Sequence, residues 1–192
     1  KENLPIASNL YTIGSVAGDV QVSVSPNVSK YCTSTADGAE YTVRFLTGTS
    51  GGISVGQNIY VIFPPEYTAA LPPVIPAGRV LVNGILTSMN VAVDAAPTPQ
   101  FSPGSRRVTI PTPVYIANQA YVEINFLASA NIDNPVVTIT PQPFYLSVYT
   151  DPEPSAINGI YYLVSTISGI GGGCNLPVGV TVDNQYAGSG SA

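Results

Sequence analysis

Hydrophobic and polar residues alternate along this chain in short bursts with a period of two. Val20-Gln21-Val22-Ser23-Val24-Ser25 sets three valines on one face and polar side chains on the other, the pattern of a half-buried β-strand. Tyr41-Thr42-Val43-Arg44-Phe45-Leu46 repeats it with Tyr41, Val43 and Phe45 inward, and residues 121–126 and 144–150 alternate in the same way. Residues 58–63 are more continuously apolar and end at Pro64-Pro65, which predicts a central strand covered on both faces. Residues 79–82 run into Asn83-Gly84, the dipeptide best suited to a two-residue hairpin turn. Residues 90–93 and 107–110 are short strands flanking a Pro-rich loop at 95–105. Five prolines crowd residues 64–77 and predict a stiff loop there rather than a strand. Residues 160–167 and the alternating Val178, Val180 and Val182 are further strand candidates, separated by Gly171-Gly172-Gly173. No helical period of any length appears.

The expected fold is therefore all-β: an Ig-like or Greek-key β-sandwich of about 7–10 strands with N- and C-terminal strand extensions. The expected organisation is an N-terminal extension at 1–19, a sandwich core at 20–168 and a Gly-rich strand and tail at 169–192. With 192 residues, the chain is long enough to bury a core without depending on disulfides.

Composition sharpens this picture. Only 9% of the residues are charged while 45% are hydrophobic, against roughly 25% charged in an average soluble domain. A surface so thin in charge tends to associate with itself or its neighbours. The net charge of −5 and six scattered basic residues leave nothing to neutralise a row of phosphates, which argues against nucleic acid. No apolar run reaches the ~18 residues a membrane helix needs. The chain begins at Lys1 rather than Met, and its exported character predicts that a leader has been removed.

Two cysteines, Cys32 and Cys174, lie 142 residues apart (174 − 32). In an oxidising compartment they are expected to pair, tying an early loop to the C-terminal region; two buried thiols are the alternative. Such a bridge would contribute about 4–5 kcal/mol in the chain-entropy model. Asn27-Val28-Ser29 is an acceptor sequon for N-glycosylation, used or not according to the host.

The strand patterns also resemble a known family. Val22-Ser23-Val24-Ser25-Pro26 opens the likeness, followed by residues 39–45, 55–64, Val80-Leu81-Val82-Asn83-Gly84, Val108-Thr109-Ile110-Pro111, Asn131-Ile132-Asp133-Asn134-Pro135 and residues 145–150. Together, across roughly residues 20–155, they are similar to the Ig-like repeat of large surface and S-layer-associated proteins of Gram-positive, often thermophilic, anaerobes. The resemblance implies an extracellular β-sandwich serving as spacer, adhesive or structural module. In that family the repeat stands in tandem within very long chains, whereas here one copy carries its own extensions. Pro5-Ile6-Ala7-Ser8-Asn9 and Pro154-Ser155-Ala156-Ile157-Asn158 share Pro-x-Ala-x-Asn, like the linker strands between tandem repeats.

Catalytic chemistry finds few candidates. Histidine is absent, which removes Ser-His-Asp and Cys-His mechanisms and histidine metal sites together. The eleven carboxylates are spread thinly, with Asp37, Asp151 and Glu153 in expected turns; Asp133-Asn134 and Asp151–Glu153 could supply Ca²⁺ oxygens but read first as turn-forming residues. The chain is expected to be no enzyme and to need no cofactor.

The expected function is a secreted cell-surface structural subunit, a homopolymer assembled head to tail. Residues 4–13 carry Leu4, Ile6, Leu10 and Ile13 with no charge after Glu2, and they are expected to complete the sandwich of a neighbour as a donated strand. The other reading is a monomeric adhesive or carbohydrate-binding module that touches cell-wall or glycan surfaces through some of its 12 tyrosines. On the alternation, Tyr41, Tyr60, Tyr121 and Tyr145 are expected in core or interface, while Tyr67, Tyr115 and Tyr186 are the exposed candidates.

Overall fold

The computed structural model describes residues 17–25, 38–136, 142–159 and 162–164. The alternating segments build two sheets that share one core. The first sheet runs β1 (Ala17–Ser25), β2 (Glu40–Leu46), β9 (Tyr121–Phe126), β5 (Val80–Val82), β6 (Ile85–Leu86). The second runs β12 (Ile157–Asn158), β11 (Ser147–Thr150), β3 (Asn58–Phe63), β8 (Arg106–Pro111), β7 (Val91–Ala95), β4 (Val74–Ile75). A separate two-stranded ribbon pairs β10 (Gln142–Phe144) with β13 (Tyr162–Val164). Every pairing between these strands is antiparallel. The chain changes sheet after β2, β4, β6 and β8, and again after β9 by way of β10, so the two halves of the sandwich are interleaved along the sequence.

Period-two patterning decides which side chains enter. Tyr41, Val43 and Phe45 of β2, Val122, Ile124 and Phe126 of β9, and Val108 and Ile110 of β8 are all buried. Each contributes roughly 1.5–3 kcal/mol of apolar burial. β3 sits between β11 and β8 in the middle of the second sheet, with Ile59, Val61 and Phe63 buried in the core and Asn58 and Tyr60 only partly buried on the other face. Asn83 and Gly84 both adopt positive φ, 49° and 78°, and the Val82–Ile85 register closes the two-residue turn. Seven of the described strands have four residues or more. The rest are two- and three-residue pieces that complete edges or form the ribbon.

Two segments depart from the expectation. The Pro-rich stretch 64–77 is not wholly loop: after a 3-10 turn at Pro65–Tyr67, Val74–Ile75 pairs with β7 as an edge strand. Pro73 and Pro76 flank this pair, and an edge position tolerates their missing N–H groups. Residues 144–150, expected as one strand, divide at Tyr145-Leu146. Phe144 ends β10 against Tyr67 and Tyr162, with ring centroids 5.8 and 6.1 Å away. Val148 of β11 enters the core of the second sheet, paired with Val61.

One edge of the sandwich is stitched shut. Val20 of β1 bridges in parallel to Gly159, while Gly159 N–H donates to Leu146 O at 2.6 Å. At this point the backbone of the first sheet meets that of the second. A Cβ built on Gly159 would lie 2.9 Å from Val20 O and 3.1 Å from Leu146 O, so glycine is what permits the approach. Gly159 directly follows the Pro154–Asn158 linker motif. That motif thus seats Ile157–Asn158 against its own domain, with Ser147 Oγ donating to Asn158 Oδ1 at 2.6 Å.

Candidate assembly surface

The edge opposite the stitched one is apolar and open. β6 closes the first sheet and pairs, among the described strands, only with β5. Its Ile85 and Leu86 are about half exposed, at 46% and 50%. They stand beside Val55 and Met89, 65% and 56% exposed, around a groove of about 280 Å³ whose other wall includes Pro111 and Pro113. No residue lining this groove is charged. Four large apolar side chains exposed around one uncharged concavity form the kind of patch that marks an interaction site rather than scattered surface hydrophobics.

The alternation of an antiparallel ladder fixes which backbone groups face outward here. Val82 and Ile85 flank the turn as a register pair, and Thr87 N–H donates to Val80 O at 2.9 Å. The residue between them, Leu86, therefore turns its N–H and C=O away from β5.

Tyrosine positions correct part of the sequence reading. Tyr67, expected to be exposed, is fully buried, as is Tyr41. Tyr162 O–H donates to Tyr67 Oη at 2.7 Å; Tyr67 and Tyr41 are 3.1 Å apart; and Tyr41 reaches Asn134 Oδ1. Because a phenol has one proton to give, the chain has a direction, Tyr162 to Tyr67 to Tyr41 to the Asn134 carbonyl. Burial is the main force that pushes all three groups above the ordinary phenol value of 10, so they stay neutral; the neighbouring phenols raise Tyr67 further, whereas the Tyr67 hydrogen bond opposes the rise at Tyr41 and Tyr162. The 3-10 turn turns Tyr67 inward, which an alternation argument could not anticipate. Tyr121 and Tyr145 are not core residues: they are 80% and 51% exposed. Tyr115 is exposed at 64%, as expected.

On the outer face of the second sheet, Tyr60 and Tyr149 stack at 4.4 Å, Phe101 stacks on Tyr149 at 6.1 Å, and Arg107 lies 5.5 Å over the Tyr60 ring. Tyr60 O–H donates to Asp151 Oδ1 at 2.7 Å. The row holds the 96–105 loop, which carries Phe101, across the sheet. Its ring faces are engaged with one another and with Arg107.

Glu153 corrects the reading of the turn carboxylates. It is buried, and Gly48 N–H donates to both of its oxygens, at 2.9 and 3.2 Å. Burial raises its carboxyl above the usual 4.5, with the Gly48 hydrogen bond opposing. A group whose folded pKa is raised stabilises fully below its unfolded value and loses that contribution as pH climbs through the folded one. The Glu153→Gln variant keeps an acceptor for Gly48 and removes the buried charge. It is therefore expected to match the parent near pH 4 and to gain on it as pH rises from about 4.5 to 7. Melting temperatures measured across that range would check this; a gap that narrows with rising pH would contradict it. Asn134 is likewise not an open turn oxygen but the buried end of the tyrosine chain. Among the described residues, no three acidic, cysteine or histidine side chains come together as a metal group would require.

Leu4, Ile6, Leu10 and Ile13, the glycosylation candidate Asn27, and both Cys32 and Cys174 lie outside the described residues, as do Tyr186 and the strand candidate at 178–182. The groove at Val55, Ile85, Leu86 and Met89 was missed by the sequence reading. Its only signal was a turn followed by two apolar residues too short to count as a strand. No helix is long and apolar enough to cross a membrane among the described residues. Compared with known proteins, the chain matches no family model, and neither a curated protein nor a solved structure is significantly similar to it.

Proposed function

We propose that this chain is an extracellular structural protein, the subunit of a cell-surface filament or layer that grows head to tail by strand donation from residues 4–13. The observation that carries the reading is an uncharged, half-exposed apolar edge, β6 with its groove, on a sandwich whose other edge is stitched at Gly159. An open sheet edge flanked by apolar side chains is a template for another strand. The 9% charge content supplies little repulsion against association. A donated strand makes a heterologous contact, which propagates into an open assembly unless its geometry closes a ring. Export and a Cys32–Cys174 bridge fit the same role.

The second reading is a monomeric adhesive or carbohydrate-binding module, for which exposed Tyr115 and Tyr121 are the best stacking candidates. Sugar stacking uses ring faces, and in the aromatic row of the second sheet those faces are already engaged. Deleting residues 1–14 tests strand donation. The full chain is expected to form sedimentable filaments or sheets in negative stain, and the truncated chain to stay monodisperse and folded. Equal assembly of the two would end the N-terminal donor model. Monodisperse full-length particles that bind glycans would establish the second reading instead.

A further inference from the structure

The chain contains two Asn-Gly pairs, Asn83-Gly84 and Asn158-Gly159. In this dipeptide a carboxamide and the next main-chain nitrogen meet with least obstruction, because glycine has no side chain to screen its N–H. The fold treats the two pairs differently. Asn83 sits in the hairpin turn at φ 49°, its carboxamide accepting from Glu123 N–H at 2.8 Å, and a Cβ on Gly84 would meet nothing within 4 Å. Asn158-Gly159 lies in the seam that joins the two sheets.

We propose that Asn158-Gly159 is a latent self-modification site guarded by that seam. When the seam opens, the Gly159 nitrogen attacks the Asn158 carboxamide, and the isoaspartyl product keeps the seam from closing again. This concerns a single chain and holds whether or not copies assemble.

Three observations carry it. First, the closed seam separates the reactants. Asn158 is exposed while Gly159 is buried. Ser147 Oγ–H holds Asn158 Oδ1 at 2.6 Å, and Gly159 N–H is given to Leu146 O at 2.6 Å. An amide nitrogen attacks only after shedding its proton, and this proton is held by a carbonyl away from water. Second, both bonds run to the adjacent residues Leu146 and Ser147, so one opening frees carboxamide and nitrogen together. The strand concerned is short: β12 has two residues and pairs, among the described strands, only with β11. Such edges open locally well before the whole fold does. Third, the closed seam has no room for the product. A single added Cβ at Gly159 would already lie 2.9 Å from Val20 O and 3.1 Å from Leu146 O.

The chemistry needs only water. The Gly159 nitrogen loses its proton and bonds to Asn158 Cγ; the Cγ–Nδ2 bond breaks, and ammonia leaves with the proton. The five-membered imide so formed has no N–H for Leu146. Water then adds to one of its two carbonyls. Opening at Cγ gives an ordinary aspartyl residue, whose backbone fits the seam as before. Opening at the main-chain carbonyl leaves the chain running through Cγ, one carbon longer between residues 158 and 159. That isoaspartyl form is the one that locks the seam open. No electrons change hands; water enters and ammonia departs.

The test ages the full chain at mildly alkaline pH, folded and in urea, and follows each asparagine by peptide mapping. Trypsin places Asn83 in residues 80–106 and Asn158 in residues 108–192. Asn158 is expected to react more slowly in the folded chain than in urea. The slowing should agree, within about tenfold, with the protection of the Gly159 amide from hydrogen exchange, since one opening gates both. Ser147→Ala should speed Asn158 by about fivefold, the weight of one hydrogen bond, and leave Asn83 unchanged. The isoaspartyl fraction should lose amide protection in β1, whereas an Asn158→Gln chain aged alongside should keep it. A folded rate equal to that in urea overturns the guard, and so does a Ser147→Ala rate at or below the parent's. Absence of reaction at Asn158 while the Gly159 amide exchanges overturns the site itself. Intact β1 protection in the isoaspartyl fraction overturns the lock.

Discussion

Replacing Tyr67 by alanine is expected to cost about 3–5 kcal/mol, the range for emptying a buried aromatic site, and to lower Tm by about 6–20 °C in a chain of this size. Tyr67 holds the middle of the buried hydrogen-bond chain, accepting from Tyr162 and donating to Tyr41, and packs on Phe63 and Phe144. Its removal takes from the β10–β13 ribbon its hydrogen bond through Tyr162 and its ring contact through Phe144, leaving the Tyr41–Tyr162 edge contact to hold it. Tyr67→Phe separates the two contributions. It keeps the ring and leaves the Tyr162 hydroxyl without its acceptor and Tyr41 without a donor, at about 1–3 kcal/mol. The alkaline limb adds a second signature. The raised phenol pKa values contribute stability that is complete below pH 10 and declines as pH rises past it. Tyr67→Phe should therefore lose less stability than the parent above pH 10. Thermal melts of both variants at pH 7 and pH 11 measure this. A Tyr67→Ala melt within 2 °C of the parent would refute the role given to the cluster.

Gly159→Val is expected to open the stitched edge. Any Cβ there meets the Val20 and Leu146 carbonyls, and both belong to backbone rather than to a movable side-chain end. Overpacking of 1–3 kcal/mol and a lost main-chain hydrogen bond of about 1 kcal/mol together predict roughly 2–4 kcal/mol. Hydrogen exchange locates the effect better than a melt does. Amides of β1 and β12 should lose protection while those of β3, β8 and β9 keep it, because only the former depend on the seam. Unchanged protection in β1 would show that its pairing with β2 suffices alone.

The sequence was legible where a residue's environment depends on its own strand. In β2, β3 and β9 the period of two, or its absence, announced both the strand and its buried face. Asn83-Gly84 announced the hairpin because only that local conformation suits the pair. Legibility failed where the environment is supplied by a distant segment. Glu153 reads as a turn residue until Gly48, 105 positions earlier, comes to its carboxylate. Tyr67 reads as a loop tyrosine until Tyr41 and Tyr162 arrive from two other elements. Strand length was the other limit. Val74–Ile75 and Ile85–Leu86 are too short to show a period, yet one finishes the second sheet and the other defines the candidate acceptor. The proposed donor residues and both cysteines fall outside the described residues.

The seam at β1 has a mechanical consequence. β1 is nine residues long, held along one side by an antiparallel ladder to β2 that runs from Ser25 to Gln21 and resumes at Ala17 after a register shift, and touched on the other side at Val20 by Gly159. A load applied lengthwise through Ala17 strains those cross-strand hydrogen bonds together, in shear, instead of peeling them one after another. Rupture then waits on the simultaneous failure of many bonds, so the relevant quantity is the unfolding rate under force rather than the equilibrium stability.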